Sequence, residues 1–115
     1  MVRPDAEIVA LLDGVRQPVV LCGHSHIPRL VRLSTGQLIL NPGSVGLPAY
    51  DDDSPVPHVM DTYSPHASYA ILTRQAGGWD VTFRKVAYDT AEAANCARGA
   101  GREDWSWRIT TGRAF

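Results

Sequence analysis

The chain has 115 residues, 44% of them hydrophobic and 20% charged, which is typical of one small globular domain. Eleven basic and twelve acidic residues give a formal net charge of −1 with no basic cluster, which argues against binding to nucleic acid or an anionic membrane. No run approaches the roughly 18 apolar residues of a membrane span, and the N-terminus lacks the apolar core of a signal peptide. The two cysteines, Cys22 and Cys96, form no paired motif, so we expect reduced thiols in a cytoplasmic protein.

The N-terminal part is predicted to contain a helix, a strand and a hairpin. Apolar side chains recur at helical spacing after Pro4, which predicts a helix from Asp5 to Gly14. The run from Val19 to Cys22 is continuously apolar, as in a strand covered on both faces. A Ser-Thr-Gly turn between residues 30–33 and 37–40 predicts a β-hairpin.

A proline-rich segment and a second hairpin follow. Five prolines interrupt residues 42–66, and we expect a long loop there that is either functional or disordered. Residues 68–74 and 79–88 flank an Ala-Gly-Gly turn, which predicts a second hairpin. The apolar alternation of its second strand slips by one residue, which indicates a bulge near Arg84.

The C-terminal part is predicted to be helical. Asp89 begins a helix with capping-box spacing, and Gly99 and Gly101 end it. A second short helix is predicted from Arg102 to Thr111. We interpret the three tryptophans as core or interface aromatics, namely Trp79, Trp105 and Trp107. About five strands with flanking helices indicate an α/β fold, in one domain over residues 1–115.

The chemically most suggestive stretch is Gly-His-Ser-His at residues 23–26, directly after the predicted strand. Ligands often gather at the carboxyl ends of strands in α/β sheets. In an extended chain, His24 and His26 would point the same way from Cα atoms about 6.5 to 7 Å apart. Such a pair can hold one metal ion, or one ion each; imidazole suits Zn, Fe and Ni, whereas Mn needs oxygen ligands as well. The alternative is two ordinary polar histidines in a loop.

The sequence GHSHIPRL, followed by NPGSVGLP, resembles the C-terminal signature of calcineurin-like metallophosphoesterases. The segments SPHASYAIL and GWDVTFRKVAYD resemble second-sheet strands of the same family. The resemblance implies the C-terminal half of a four-layer α-β-β-α sandwich built around two divalent metal ions (Mn, Fe, Zn or Ni). It implies hydrolysis of phosphate mono- or diesters, with His24 binding the second metal and His26 the first.

Four further residues are pocket candidates. By the resemblance, Asn41 and Ser44 belong to a turn that returns beside the metals, and Ser44 could donate to a phosphate. His66 could face the pocket, and Arg29 could bind an anion. The alternatives are a purely structural turn, an exposed loop histidine and a surface arginine. Asp51, Asp52, Asp53 and His58 could also contribute, although we expect a solvated turn and an exposed histidine there.

The remaining ligand motifs of the family, D-x-H, G-D-x-x-D and G-N-H-[DE], do not occur in the sequence, and the 22 residues before Gly23 contain no histidine. We therefore expect a partial domain that carries no catalytic residue and has negligible turnover alone. Together with an N-terminal half, it would act on a phosphoester substrate. That half would be either a separate chain or a segment encoded upstream of Met1. The alternative is a non-catalytic scaffold or self-associating domain, a homodimer in which two His-x-His pairs could meet across a two-fold axis.

Overall fold

A computed structural model describes residues 2–115, which form three helices and seven strands. Met1 lies outside the described residues. In chain order the elements are α1 (Asp5–Leu11), β1 (Val19–Leu21), β2 (Arg29–Arg32), β3 (Leu38–Asn41), β4 (Ala49–Asp52), β5 (His58–Asp61), β6 (Ala67–Gln75), β7 (Gly78–Val86), α2 (Thr90–Gly99) and α3 (Glu103–Thr111).

The first sheet has the strand order β1-β3-β2, with β1 parallel and β2 antiparallel to β3. The predicted first helix and first hairpin are confirmed, although α1 ends at Leu11 rather than at Gly14. The prediction that the first strand is covered on both faces is wrong, because Leu21 is 66% exposed. The cause is its place in the sheet: among residues 2–115, β1 pairs only with β3 and therefore forms an edge.

Helix α1 and the β6–β7 hairpin lie on opposite sides of this sheet. Ile8 of α1 lines a cleft with Val31, whereas the adjacent Leu30 lines a cleft with residues of the hairpin. Neighbouring residues of a strand point to opposite faces, so the layers run helix, sheet, hairpin. The Asp5 carboxylate fastens α1 by accepting hydrogen bonds from the Ser34 backbone N–H (2.9 Å) and hydroxyl (2.6 Å).

The second predicted hairpin is confirmed as β6 and β7, but the predicted bulge is wrong. The antiparallel register runs without interruption from the pair Ala67–Val86 to the pair Gln75–Gly78, and Arg84 has a regular partner. The slip in the apolar pattern instead reflects exposure, since β7 is half-buried or exposed along its whole length.

The segment 42–66 is not a loop without regular structure, as the sequence predicted. It contains the antiparallel hairpin of β4 and β5. Prolines do not prevent these strands because none lies inside one: Pro48 precedes β4, Pro55 and Pro57 form the connection, and Pro65 follows β5. Two four-residue strands are short enough to fit between the prolines.

Helices α2 and α3 are confirmed and pack against each other. Asp89 caps α2 as predicted, its side chain accepting a hydrogen bond from the Ala91 N–H at 3.0 Å. The core between the helices consists of Ala94, Ala97 and Ile109. Small side chains on α2 allow a close approach of the two helices, so this core holds α3 firmly although it is small.

The C-terminal end of α3 is bonded to the β4–β5 hairpin. The Gly112 carbonyl accepts hydrogen bonds from the backbone N–H groups of Thr62 (3.1 Å) and Tyr63 (2.8 Å). The guanidinium of Arg108, whose side chain is only 8% exposed, forms an ion pair with Asp51. These contacts place the helix pair beside β4.

The sequence indicates core or interface aromatics for the tryptophans, and the two on α3 are not core residues. Trp105 is 40% exposed and Trp107 is 49% exposed, whereas Trp79 is half-buried on the hairpin. No helix within residues 2–115 is both long and apolar enough to cross a membrane.

Gly112 should tolerate no side chain. Its φ of +69° lies in the left-handed region, and a Cβ there would overlap the backbone nitrogen and carbonyl oxygen of Ser64. We expect Gly112→Ala to lower the free energy of unfolding by about 2 to 4 kcal/mol, measured by urea denaturation followed by circular dichroism.

The control is Gly99→Ala at the end of α2, where an added Cβ meets no atom within 4 Å. That change should leave stability unchanged or raise it by about 0.5 to 1 kcal/mol, because alanine favours the helix. Equal effects of the two substitutions would contradict the packing of Gly112 against Ser64.

Candidate functional site

The Gly-His-Ser-His stretch forms a tight turn rather than extended chain. It lies in the connection between β1 and β2, and His24 and His26 have φ angles of +74° and +61°. The extended geometry predicted from the sequence is therefore wrong. Residues with a Cβ in the left-handed region are strained by about 1 to 3 kcal/mol each and persist where the surrounding structure holds them. Such strain often occurs at functional sites.

Asn41, at the end of β3, holds this turn. Its side chain is buried, and Nδ2 donates hydrogen bonds to the Gly23 carbonyl (3.0 Å) and to the Ser25 hydroxyl (2.9 Å). Its Oδ1 accepts from the Gly43 N–H at 3.0 Å. One amide thus bonds the backbone of Gly23 and the side chain of Ser25, on either side of His24, and also closes its own Asn-Pro-Gly turn.

The Asn-Pro-Gly-Ser turn fits a crowded place. Gly43 has a φ of +88°, and a Cβ there would lie 2.8 Å from the Ser68 Cβ and 2.9 Å from the Pro28 Cγ. The Ser44 hydroxyl accepts a hydrogen bond from the Leu47 N–H at 3.0 Å, and the Ser44 carbonyl accepts from Ser68. Asn41 and Ser44 therefore have a structural role here, because their hydrogen bonds hold the loops around the histidines.

The ring of His26 is oriented by Leu47. Its Nδ1 lies 2.8 Å from the Leu47 carbonyl oxygen. A carbonyl can only accept, so Nδ1 must carry the proton and donate it, which leaves the Nε2 lone pair of the neutral ring as the available metal-binding atom. Ser44, Leu47 and His26 form a short chain of hydrogen bonds from the turn to the imidazole.

Both histidines line one cleft of about 320 Å³. The ring centroid of Tyr50, on β4, lies 4.8 Å from that of His26 and 6.3 Å from that of His24, both edge-on. The other wall comes from α3 and its N-terminal end. The lining residues are His24, His26, Leu47, Tyr50, Asp51, Asp52, Arg102, Trp105 and Arg108.

The polar groups of β4 are electrostatically coupled to the cleft. Burial raises the pKa of the Tyr50 phenol above its ordinary value, and the nearby Asp52 carboxylate raises it further. The Ser54 backbone N–H lowers the pKa of Asp52, partly opposed by desolvation; the charges of His58 and His24 lower it further. Asp52 is therefore ionised near neutral pH.

The other candidate residues lie elsewhere. Arg29 lines a different cleft together with Val31, on the α1 side of the sheet. The Nδ1 of His66 lies 2.9 Å from the Ser64 hydroxyl, and His66 does not line the histidine cleft. His58 contacts the Tyr50 ring edge-on at 5.8 Å. Of the residues named from the sequence, His24 and His26 line the same cleft, together with Asp51 and Asp52.

Sequence reasoning missed Tyr50, Trp105 and Arg108. Asp51, expected in a solvated turn, is in β4 and is paired with Arg108. Reading Ala-Tyr-Asp-Asp as a short strand would have put Tyr50 and Asp52 on the same face. No local pattern indicates a contact between residues 57 positions apart, so the wall from α3 could not be found in this way.

The described residues do not make a complete metal centre. Within residues 2–115, no group of three or more His, Cys, Asp or Glu side chains is placed to hold one ion. His24 and His26 supply two neutral ligands, whereas a two-metal hydrolase site needs further ligands, including carboxylates to balance the ionic charge. The donor set therefore does not by itself fit a two-metal centre.

No protein-family model and no curated protein matches the chain. Among solved structures it is similar to the crystal structure of a metallophosphoesterase from Sphaerobacter thermophilus, with a TM-score of 0.62 and 27% sequence identity. The match covers 93% of this chain and 47% of that one, so the chain spans about half the length of this neighbour. The predicted fold class, an α/β portion of a metallophosphoesterase sandwich, is confirmed, although with seven strands rather than about five.

Asn41 should be essential to the histidine turn. We expect Asn41→Ala to lower the free energy of unfolding by about 2 to 4 kcal/mol, because it removes three part-buried hydrogen bonds, to the Gly23 carbonyl, the Ser25 hydroxyl and the Gly43 N–H. Urea denaturation measures the loss. As a control, Asn95→Ala removes an exposed bond to Arg98 and should cost less than about 0.5 kcal/mol. A small effect at Asn41 would contradict its role.

Tyr50 should tolerate loss of its hydroxyl but not of its ring. The phenol oxygen is buried without a hydrogen-bond partner in the described residues, so Tyr50→Phe should leave stability unchanged or raise it by up to about 1 kcal/mol. Tyr50→Ala should cost about 2 to 3 kcal/mol, since it removes the ring packed on the histidines. Thermal unfolding compares the variants, and a marked loss in Tyr50→Phe would reveal a partner for the hydroxyl.

Proposed function

We propose that this chain is the C-terminal part of a metal-dependent phosphoesterase, in which His24 and His26 are metal ligands. The observation that carries the proposal is the placing of both imidazoles in one cleft, with the His26 ring held so that Nε2 is free. The fold-level similarity to a metallophosphoesterase supports the same reading. Divalent Mn, Fe, Zn or Ni ions and phosphate mono- or diesters are the proposed cofactors and substrates.

We propose that the remaining ligands come from outside the described residues 2–115. Two imidazoles, without the carboxylates that a two-metal site needs, provide part of a centre. We propose that an N-terminal half, as a separate chain or as part of a longer one, supplies the rest, and that this chain alone has negligible turnover. Its own contribution is to hold the two imidazoles rigidly and to form one side of the substrate cleft.

A non-catalytic, self-associating or scaffold domain is the second candidate. It is favoured by the open edge at β1, where the exposed Leu21 would be covered by a second copy. Sedimentation analysis separates the two candidates: a monomer favours the partial enzyme, and a tight dimer favours self-association. We also propose a cytoplasmic location, in which Cys22 and Cys96 would stay reduced.

Metal binding should depend on His26 and not on His66. In a Zn²⁺ titration followed by NMR of the histidine ring nitrogens, we expect His24 and His26 to shift first. His26→Ala should weaken binding at least about tenfold, because one of two protein ligands is lost. His66→Ala is the matched control, since that ring bonds to Ser64 away from the cleft.

Two results would contradict the proposal. Unchanged Zn²⁺ affinity of the His26→Ala variant would contradict the assignment of His26 as a metal ligand. Metal-dependent hydrolysis of a chromogenic phosphodiester by the isolated chain, abolished in His26→Ala, would keep the enzyme but show that the centre is complete without further residues.

A further inference from the structure

The wall of the cleft opposite the histidine turn is rigid. Ion pairing of Arg108 with Asp51 fixes the middle of α3 to β4. The N–H of Ala114 donates to an Asp61 carboxylate oxygen at 2.6 Å, which fixes the chain after α3 to β5. The backbone of α3 is therefore tied to the hairpin that carries Tyr50, which lines the same cleft as the histidines.

Trp105 is a side chain that α3 presents to this cleft. It lines the cleft with His24 and His26 and is 40% exposed, whereas Ser106, Arg108 and Ile109 of the same helix are buried. The Arg102 guanidinium lies over its ring, 4.7 Å from the centroid. Arg102 is itself held by Asp104 through hydrogen bonds of 2.9 and 2.8 Å. The indole is thus in a cation–π contact with an arginine that is itself ion-paired.

The two arginines of this wall are not free to bind a phosphate. Arg108 is paired with Asp51, and Arg102 makes a bidentate pair with Asp104. Each positive charge is balanced by a carboxylate at hydrogen-bonding distance. An anionic group would gain little here, whereas an uncharged planar ring could contact the indole without displacing an ion pair. The chemistry of this wall favours the organic part of a substrate.

We propose that Trp105 binds a planar ring in the substrate, so that the site takes aryl or nucleoside phosphoesters with the phosphate directed toward His24 and His26. This inference rests on the proposed function. The cleft volume of about 320 Å³ is in the range of small-molecule sites. An indole stacks on any aromatic ring, so the wall selects a ring without specifying which base or aryl group it is.

The chain provides a matched control on the same helix. Trp107 is two residues further along α3, is 49% exposed, and does not line the cleft. Two residues correspond to a rotation of about 200° around a helix axis, so the two indoles leave α3 on different sides. Trp105→Ala and Trp107→Ala make the same substitution in the same helix, but only Trp105→Ala removes a side chain that lines the cleft.

The experiment compares adenosine 5′-monophosphate with ribose 5-phosphate, which carries the same phosphate without the ring. In the unmutated protein with Zn²⁺, we expect the monophosphate to bind at least about fivefold more tightly, the lower end for one stacked base, and to shift the indole N–H NMR signal of Trp105. Trp105→Ala should abolish the preference and Trp107→Ala should retain it. The NMR shift is measured on the unmutated protein, so this part of the test does not depend on whether a variant folds.

Equal affinities, a shift of the Trp107 signal alone, or no binding of the monophosphate would overturn the inference. His26→Ala separates it from the proposed function. If binding of both ligands requires Zn²⁺ and His26 but shows no preference for the ring, the phosphoesterase proposal is supported and the ring site is contradicted. If the ring preference depends on Trp105 but neither Zn²⁺ nor His26 affects binding, the ring contact is supported and the metal-site proposal is contradicted.

Discussion

The buried amide of Asn41 is the constraint on which the site depends. Both histidines adopt a left-handed backbone conformation that neither would prefer, so the turn needs external support. Asn41 provides it by bonding Gly23 and Ser25 on either side of His24. Because Asn41 ends β3, the central strand of the sheet, the histidines take their position from the most strongly paired element nearby. The same residue begins the turn that leads to Leu47 and so to the His26 ring.

The opposite wall is held by contacts between α3 and the β4–β5 hairpin, among which the long-range ion pair between Arg108 and Asp51 is the link to β4. Arg108 is nearly buried, and its other carboxylate contact, to Asp104, is longer at 3.8 Å, so loss of Asp51 would weaken the pairing of a buried charge. The pair joins β4, which carries Tyr50, to α3, which carries Trp105. The two halves of the cleft are therefore stabilised separately, one by an amide at the end of a strand and the other by contacts, including a salt bridge, between elements far apart in sequence.

The sequence predicted the local elements well, because helix caps, glycine turns and apolar alternation act over a few residues. Asp89 and the hairpin turns are such signals. It failed where context decides: Leu21 is exposed because β1 is an edge, and β4 and β5 form within a proline-rich segment that fits around them. For the site, the histidine pair was identified but the conformation of its turn was not. The α3 wall had no local signature, and the metal-binding role of the pair stays a prediction.

The open edge of the sheet and the incomplete ligand set lie at the same place. β1 ends at Leu21, and the histidine turn begins two residues later, so a strand added parallel to β1 would end beside His24 and could bring further ligands there. Two copies pairing edge to edge about a two-fold axis would instead align their β1 strands antiparallel. That arrangement puts the two histidine turns at opposite ends of the paired strands, so it covers Leu21 without joining the imidazoles. A complementary half that continues the sheet would both cover the edge and supply ligands to the histidines.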